Sequence, residues 1–303
     1  MEKFIEKAEV LIEALPYIKK FHGKKVVIKF GGSVMEEKEK IFHVLQDIVF
    51  MSYVGMKPLI IHGGGPAISA AMKKNGLTPH FVNGLRVTDR ATMDIVEDVL
   101  VNTINKEIVD MLNSMDGWAQ GISGRDGGFI SVEKMKPTRN ITQALKDIFK
   151  HKPEEELDLG YVGDITSINP IPVQEIKNNN KIPVIAPIGV GKDGCSYNIN
   201  GDIVAGEIAA ALGAERLVFL TDVIGIMKNP KDESSLMSSL HSNEVEELIE
   251  KKVIQGGMIP KVNSCVKALK FGAQKAHIID GRIDHSLLLE MFTNKGIGTE
   301  IIH

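Results

Sequence analysis

The chain has 303 residues, 36 Lys+Arg against 39 Asp+Glu, a formal net charge of -3 and 43% hydrophobic residues. This composition is typical of a globular protein, and it argues against a nucleic-acid binder because such proteins usually carry a basic excess. No apolar run approaches the roughly 18 residues of a membrane span. Charged residues between positions 2 and 9 interrupt any signal-peptide core, so none is expected. The length favours one large α/β unit or two lobes of about 150 residues each.

Only two cysteines occur, Cys195 and Cys265, and neither has a closely spaced partner. We therefore expect no disulfide scaffold and no structural zinc, and we expect a reducing, cytoplasmic location. The histidines also lack the spacing of a metal-binding motif, so no metal site built by protein side chains is predicted.

An amphipathic helix is predicted at the N-terminus, before the first strand, where nothing upstream can cover its apolar face. Its apolar residues recur at helical spacing: Phe4, Ala8, Leu11, Leu15 and Ile18. Pro16 is expected to kink this helix or to end its first part.

After this helix, buried strands, glycine turns and helices alternate. The predicted strands are 26–30, 58–61, 129–132, 161–168, 182–188, 217–221 and 276–280. The predicted helices are 36–54, one that begins near Pro66, 92–115, 142–149, 201–212, 243–252 and 260–271. Strands that alternate with helices predict a mostly parallel sheet covered on both faces. The stretch 134–158 is weakly patterned, and Asn178-Asn179-Asn180 marks a soft boundary between two lobes.

Two glycine turns follow the first two strands. Lys29-Phe30-Gly31-Gly32-Ser33 places a lysine at the end of a buried strand, which is costly unless it faces a cleft or an anion. His62-Gly63-Gly64-Gly65-Pro66 resembles an oxyanion-hole motif, but the required G-x-S-x-G elbow is absent. Glycine turns at helix N-termini are suited to binding anions. For both motifs the alternative is an ordinary βα turn that binds no ligand.

Other phosphate-binding signatures are absent or weak. No GxxxxGK[ST] sequence occurs, which excludes a P-loop kinase. Gly189-Val190-Gly191-Lys192-Asp193-Gly194 matches GxGxxG, but residues 195–201 read as a loop instead of the helix that a dinucleotide site needs.

Three charged residues in the second half of the chain suggest a ligand-binding site at the edge of the sheet. Asp202 follows Asn198-Ile199-Asn200-Gly201 and begins a helix, where it either only complements the helix dipole or orients cations in a cleft. Asp222 follows a strand end at Thr221. Lys261, after Gly256-Gly257, begins another helix and opposes its dipole, which favours an anion site.

Six motifs, in this order, resemble the amino-acid kinase family over about the whole chain, and within it the members that phosphorylate N-acetyl-L-glutamate. They are Lys29-Phe30-Gly31-Gly32, His62-Gly63-Gly64-Gly65-Pro66, Asn83-Gly84-Leu85-Arg86-Val87-Thr88, Asn198-Ile199-Asn200-Gly201-Asp202, Leu220-Thr221-Asp222-Val223 and Gly256-Gly257-Met258-Ile259-Pro260-Lys261. The motif around Arg86 is the most discriminating. The resemblance implies a three-layer αβα sandwich around an open, mostly parallel central sheet. It further implies an oligomerisation helix at 1–22, a substrate-binding and dimerising N-lobe at 23–178, and a nucleotide-binding C-lobe at 179–303.

The implied reaction transfers a phosphoryl group from ATP to the γ-carboxylate of N-acetylglutamate, the second step of arginine biosynthesis. A carboxylate nucleophile is ionised at neutral pH and needs no general base. By resemblance, Lys29 and Lys261 stabilise charge on the transferred group, and Asp202 holds both lysines. Mg²⁺ arrives with the nucleotide, held mainly by its phosphates.

The remaining implied site residues divide between the two substrates. Arg86 offers a fork for the α-carboxylate of the amino acid, with Asn198, Gly64 and Gly65 completing that site. Gly31, Gly32, Thr221 and Asp222 bind or adjoin the nucleotide.

The N-terminal helix resembles that of feedback-inhibited members, in which it interlaces dimers into a hexamer. Those members bind arginine near this helix and the C-terminal segment. Tyr17, His277, Glu290 and Gly296 match that site by resemblance. The alternative is a helix that packs on its own subunit in an unregulated dimer.

Three alternative functions remain open at this point. One is another carboxylate or carbamate kinase of the same fold, such as an aspartate or carbamate kinase. The second is a ligand-sensing relative without catalysis, which retention of Lys29, Asp202 and Lys261 disfavours. A dehydrogenase is the weakest.

Overall fold

Strands and helices alternate along the chain in the computed structural model, which describes residues 2–35, 37–149, 158–293 and 296–303. The strands are β1 (Lys25–Phe30), β2 (Lys57–His62), β3 (Phe81–Val82), β4 (Leu85–Arg86), β5 (Ala119–Ser123), β6 (Ile130–Lys134), β7 (Gly163–Ile168), β8 (Ile182–Ala186), β9 (Ile188–Gly191), β10 (Ser196–Asn198), β11 (Arg216–Thr221), β12 (Ser239–His241), β13 (Lys275–Asp280) and β14 (Thr299–Ile302).

The α-helices vary from 6 to 20 residues in length. They are α1 (Glu2–Phe21), α2 (Lys38–Tyr53), α3 (Gly65–Lys74), α4 (Arg90–Glu97), α5 (Lys106–Ser114), α6 (Arg139–Ile148), α7 (Ile171–Asn178), α8 (Gly201–Leu212), α9 (Val245–Glu250), α10 (Met258–Lys270) and α11 (Ser286–Phe292). A π-helical stretch, Asp98–Asn105, joins α4 to α5.

The main sheet has eight strands in the order β12-β14-β13-β11-β1-β2-β8-β5. Every neighbouring pair in it is parallel except β13 and β14. A second sheet, β10-β9-β6-β7, and the short hairpin β3–β4 lie outside it. The predicted mostly parallel central sheet is therefore confirmed.

Helices cover both faces of the main sheet because successive side chains of a buried strand point to opposite sides. In β1, Val26 and Ile28 belong to one hydrophobic core, and Val27 between them belongs to the other. The first core packs under α2, α4 and α5, and the second packs under α7, α8 and α10. This arrangement is the predicted three-layer sandwich.

Several details differ from the sequence-based expectations. The predicted helix 92–115 is divided by the π-helical stretch, and the predicted strand 182–188 is two strands separated at Pro187, which lacks an N–H. Part of the predicted loop 195–201 forms β10, which pairs with β9. Several elements were not predicted at all: the strands β3, β4, β5, β12 and β14 and the helices α7 and α11.

Helix α1 continues through Pro16, so the expectation that Pro16 ends its first part is wrong, and the alternative, a kink, stays a prediction. A proline leaves the carbonyl four residues earlier without its helical partner. Here that residue is Ile12, which is exposed, so water can replace the missing donor.

No described helix is apolar enough over a sufficient length to cross a bilayer.

The weakly patterned stretch contains α6, close to the predicted 142–149, whereas residues 150–157 lie outside the described ranges. Glu36, the predicted start of the second helix, also lies outside them. The sheet continues across the soft boundary, since β8 follows Asn178–Asn180 yet pairs with β2 and β5. The division at 1–22, 23–178 and 179–303 stays a prediction.

Helices α8 and α10 pack closely through Gly206. A Cβ placed on Gly206 would lie 2.7 Å from Ser264 Cβ and 2.9 Å from Ser264 Cα. Asp202 lies one turn before Gly206 on the same helix face, and Lys261 lies one turn before Ser264. This contact therefore sets the separation of Asp202 and Lys261.

We expect Gly206→Ala to destabilise the protein, although alanine is the better helix former by about 1 kcal/mol. The added methyl group meets backbone atoms of α10 that no side-chain rotation can move. The expected loss in free energy of unfolding is about 1–3 kcal/mol, measured by denaturant titration. Ala211→Ser, at an exposed position of α8, is the control and should change it by less than about 0.5 kcal/mol. A stabilised Gly206→Ala protein would contradict the packing argument.

Candidate active site

The loops after β1 and β2 meet backbone to backbone. A Cβ on Gly31 would lie 3.0 Å from Gly63 Cα, and a Cβ on Gly63 would lie 3.1 Å from Gly31 Cα. The Gly63 N–H donates to Phe30 O at 2.8 Å. Because the two strands are parallel and adjacent, both loops lie at the carboxyl edge of the sheet, where open α/β sheets bind ligands.

Asp202 joins two lysines that are far apart in sequence. Lys29 Nζ, near the end of β1, lies 2.7 Å from Asp202 Oδ1, and Lys261 Nζ donates to Asp202 Oδ2 at 2.8 Å. Both side chains of the Lys29–Asp202 ion pair are largely buried.

The environment of Asp202 keeps it ionised. Burial is the largest influence and opposes ionisation, but the charges of Lys29 and Lys261 together outweigh it and hold the Asp202 pKa below its ordinary value. Asn200 supports this arrangement from the N-terminus of α8, because its side-chain oxygen accepts from the Asp202 N–H at 2.7 Å. The result is a fixed anion between two cations at the edge of a cleft.

The π-helical stretch supports the second glycine turn from behind. A Cβ on Gly64 would lie 2.6 Å from Leu100 Cδ2 and 2.8 Å from Ile104 Cδ1, so a larger residue at position 64 would have to displace these two side chains. Asn105 Nδ2 lies 3.1 Å from His62 Nε2 and donates to Val184 O at 2.9 Å. π-Helical segments are frequent at functional sites.

His62 is fully buried and uncharged at neutral pH. Burial, followed by the charge of Lys29, lowers its pKa to about 4. Its Nδ1 lies 2.9 Å from Gly63 O, and its Nε2 faces the Asn105 amide, which fixes the ring. This histidine is a structural part of the turn, in agreement with the plainer interpretation of the motif.

Arg86 is a buried cation for which the described residues offer no carboxylate partner. Its NH2 group donates to Gly65 O and to Ser69 Oγ, both at 2.9 Å, and its guanidinium lies 4.6 Å from the centroid of the Phe81 ring. Burial lowers the pKa of Arg86. A buried positive charge held only by neutral groups favours an anionic ligand.

One cavity of about 200 Å³ brings most of the predicted residues together. The predicted site residues that line it are Lys29, Gly64, Gly65, Arg86, Asn198 and Asp202. Lys261 adjoins the cavity through Asp202 and does not line it. The lining therefore includes two cations, Lys29 and Arg86, and Lys261 lies beside the lining residue Asp202.

The predicted nucleotide residues lie outside this cavity. Gly31 and Gly32 follow β1, and Thr221 ends β11, the neighbouring parallel strand. Thr221 Oγ1 donates to Asp222 Oδ1 at 3.2 Å. All four residues share the carboxyl edge of the sheet with the cavity.

Four residues that shape the site were assigned no role from the sequence: Ser69, Phe81, Asn105 and Asn200. Asn200 carried a detectable signal, since asparagine before a helix is a preferred N-cap. Ser69 acts through Arg86, and Phe81 both contacts Arg86 and lines the cavity. No sequence spacing relates the three residues.

A second cavity, of about 320 Å³, contains all four residues matched to an arginine site, Tyr17, His277, Glu290 and Gly296. His277 Nδ1 lies 2.6 Å from Glu290 Oε1, and the Ile297 N–H donates to Glu290 Oε2 at 2.7 Å. Burial opposes ionisation of Glu290, but these partners outweigh it and keep its pKa below the ordinary value. Gly296 has φ +60, and a Cβ there would lie 3.0 Å from Glu290 Oε2.

Within the described ranges, no group of three or more His, Cys, Asp or Glu side chains has a geometry suited to holding a metal ion. Asp202, the acidic residue of the main cavity, is already neutralised by two lysines and is a poor cation ligand.

Known proteins resemble this chain over its whole length. It is 50% identical over 304 residues to a protein named acetylglutamate kinase from Heliobacterium modesticaldum, with 100% of both chains covered. It is 52% identical to one of the same name from Pelotomaculum thermopropionicum, with 98% of each chain covered. Among solved structures, N-acetylglutamate synthase from Neisseria gonorrhoeae, complexed with coenzyme A and N-acetyl-glutamate, superposes with a TM-score of 0.81 at 25% identity.

That superposition covers 98% of this chain but 63% of the synthase, so the chain spans just under two thirds of the longer protein. Residues 24–280 match the amino acid kinase family. The chain belongs to the amino acid kinase family.

Proposed function

We propose that the chain transfers the γ-phosphoryl group of ATP to the γ-carboxylate of N-acetyl-L-glutamate, giving N-acetyl-L-glutamyl 5-phosphate for arginine biosynthesis. The observation that carries this proposal is the charge of the main cavity, which is lined by Lys29 and by Arg86, an arginine without a carboxylate partner in the described part of the chain. A dicarboxylate can place one carboxylate at each of these two cations. Full-length relatives that are named acetylglutamate kinase support the same substrate.

The α-carboxylate of the substrate binds Arg86 in this proposal. A guanidinium suits a carboxylate because it presents parallel N–H donors in one plane. Asn198 and the backbone N–H groups of Gly64 and Gly65 line the same cavity and complete the site. The γ-carboxylate then points toward Lys29.

Charge stabilisation is the main chemical task. The attacking carboxylate and the phosphoryl group are both negative, and the transition state spreads charge over the equatorial oxygens. Lys29 approaches from β1 and Lys261 from α10, and Asp202 fixes both ammonium groups before the substrates arrive. Preorganised charge of this kind is usually the largest single contribution to catalysis.

ATP occupies the neighbouring part of the sheet edge in this proposal, with Gly31, Gly32, Thr221 and Asp222 beside it. Mg²⁺, bound mainly by the nucleotide phosphates, supplies further neutralisation of phosphate charge. Because Asp202 already holds two lysines, we assign the metal no ligand in the main cavity.

The reaction is tested by incubating the protein with ATP, Mg²⁺ and N-acetyl-L-glutamate and trapping the acyl phosphate as a hydroxamate with hydroxylamine. We expect hydroxamate from N-acetyl-L-glutamate and none from aspartate, and no phosphoryl transfer to carbamate.

In this assay Arg86→Lys should raise the KM for N-acetyl-L-glutamate by about tenfold or more, because lysine keeps the charge but lacks the two-point fork.

The KM for ATP is the internal control for Arg86→Lys and should stay within about twofold, since Arg86 belongs to the other substrate. Lys74→Arg, at an exposed position of α3, is the matched control variant. An unaltered KM for N-acetyl-L-glutamate would show that the substrate lies elsewhere.

We also propose that L-arginine inhibits the enzyme by binding in the second cavity. Glu290 there is a buried, ionised carboxylate suited to a guanidinium. The cations Lys20, Arg216 and Lys275 line the same cavity and suit the ligand's carboxylate. Tyr17 extends this cavity onto α1.

Helix α1 joins copies of the chain in this proposal, as dimers linked into a hexamer. Its apolar residues remain open to solvent in the single chain, with Phe4 72% and Leu11 69% exposed. Exposed apolar surface of this kind favours burial against another chain. Arginine binding would then be coupled to the assembly through Tyr17.

We expect arginine to suppress hydroxamate formation by the unaltered protein. Glu290→Gln should raise the arginine concentration for half-inhibition by about tenfold or more, because the buried charge that pairs with the guanidinium is lost. Glu250→Gln, at an exposed position of α9, is the control and should leave it unchanged. Turnover indifferent to arginine would remove the regulatory proposal and keep the catalytic one.

A further inference from the structure

A third cavity, of about 410 Å³, lies at the opposite edge of the sheet from the active site. It is lined by residues at the starts of β2 and β8 and by the turn before β5. Lys57 begins β2 and His62 ends it, so the strand separates the two cavities by roughly 17 Å. Nothing in the proposed reaction or its regulation uses this third cavity.

Three lysines line the third cavity: Lys57, Lys177 and Lys181. In the described part of the chain, none of them forms an ion pair with a carboxylate. Lys181 donates to the neutral side chain of Gln120 at 3.2 Å. Asp116 is the one acidic residue among the described lining residues. The lining therefore carries a net positive charge.

Lys177 is half-buried and experiences this positive charge most strongly. Burial, followed by the charges of Lys25 and Lys57, lowers its pKa to about 8. A cation that is partly removed from water and placed beside other cations is destabilised. An anion in the cavity would remove that penalty, whereas a neutral ligand would not.

Two aromatic rings form the wall beside these lysines. Trp118 is 64% exposed and Tyr53 is 69% exposed, although both line the cavity. Tyr53 Oη donates to Asp116 O at 3.1 Å, which fastens α2 to the turn that carries Trp118. Both aromatic rings are therefore accessible for stacking with a planar group of a ligand.

The turn holds Trp118 in an unfavourable backbone conformation. Trp118 has φ +48 and Asp116 has φ +56, although neither is glycine. The left-handed region is sterically unfavourable for such residues. Between them, a Cβ on Gly117 would lie 2.7 Å from Leu112 O, so the turn has little freedom. Backbone strain that displays an exposed tryptophan is typical of functional sites.

We propose that this third cavity binds a phosphate monoester that carries a planar ring. The phosphate contacts Lys57, Lys177 and Lys181, which act as compact charges without a planar fork. The ring stacks on Trp118 and Tyr53, since flat aromatic groups favour offset stacking. A cavity of this volume lies within the range of small-molecule sites.

Pyridoxal 5'-phosphate is a suitable probe, because it joins a ring, a phosphate and an aldehyde. The Lys177 amine adds to the aldehyde and water leaves, forming an imine. Borohydride then delivers a hydride to the imine carbon, and the resulting secondary amine marks the peptide permanently. Peptide mapping by mass spectrometry separates Lys177 from any labelled lysine of the active site.

We expect Lys177 to be labelled at least about tenfold faster than Lys74, an exposed lysine on α3, because more of its amine is uncharged near about pH 7.5. A low pKa would by itself make Lys177 react quickly even if the cavity bound no ligand. Protection of Lys177 by the added phosphates is therefore the observation that decides. Phenyl phosphate should slow the labelling of Lys177 more than inorganic phosphate does at the same concentration, and neither should protect Lys74.

Binding is read independently from Trp118, the single tryptophan of the chain. Without borohydride, pyridoxal 5'-phosphate should quench its fluorescence at concentrations at which Lys177→Gln shows at least about tenfold weaker quenching. Lys74→Gln is the matched control and should behave as the unaltered protein.

Three results would overturn the proposal. Lys177 that is labelled no faster than Lys74, or that neither phosphate protects, would exclude the site. Equal protection by phenyl phosphate and inorganic phosphate would exclude the ring. Full Trp118 quenching in the Lys177→Gln protein would show that the probe binds elsewhere.

Discussion

The contact of Asp202 with Lys29 and Lys261 is the interaction on which the rest of the site depends. Two ammonium groups that we propose to contact the same phosphoryl group repel each other unless an anion lies between them. Asp202 supplies that anion, and the lysines in turn offset the cost of burying it. The contact also fastens β1 to α10, elements more than two hundred residues apart in sequence.

Several glycines are required because the contact of Asp202 with the two lysines forms only if the elements that carry these residues approach each other closely. Gly206 lets α8 and α10 approach, which brings Lys261 to Asp202. Gly31 and Gly63 let the loops of β1 and β2 touch, which brings Lys29 beside the glycine turn that contains Gly64. In each case a backbone lies where a side chain would otherwise be. The chemistry of the site therefore depends on the absence of side chains as much as on the charged groups.

Much of this arrangement was predictable from the sequence because local patterns determine it. Glycine turns after buried strands gave the sheet edge, and a lysine at the end of β1 indicated an anion site. The π-helical stretch was not predictable, because its apolar residues continue the helical pattern of α4 and α5. The partners of Arg86 and the role of Asn105 depend on tertiary contacts without a sequence signature. Strands β12 and β14 were missed because each is very short.

The central claim is that Asp202 preorganises both lysines for phosphoryl transfer, and the rate of hydroxamate formation by Asp202→Asn tests it most directly. Asparagine keeps the size and the N-terminal position on α8 but removes the charge between the two cations. The account predicts a fall in kcat of about 10²-fold or more in a protein that still unfolds cooperatively. A folded Asp202→Asn protein with an unchanged kcat would contradict it.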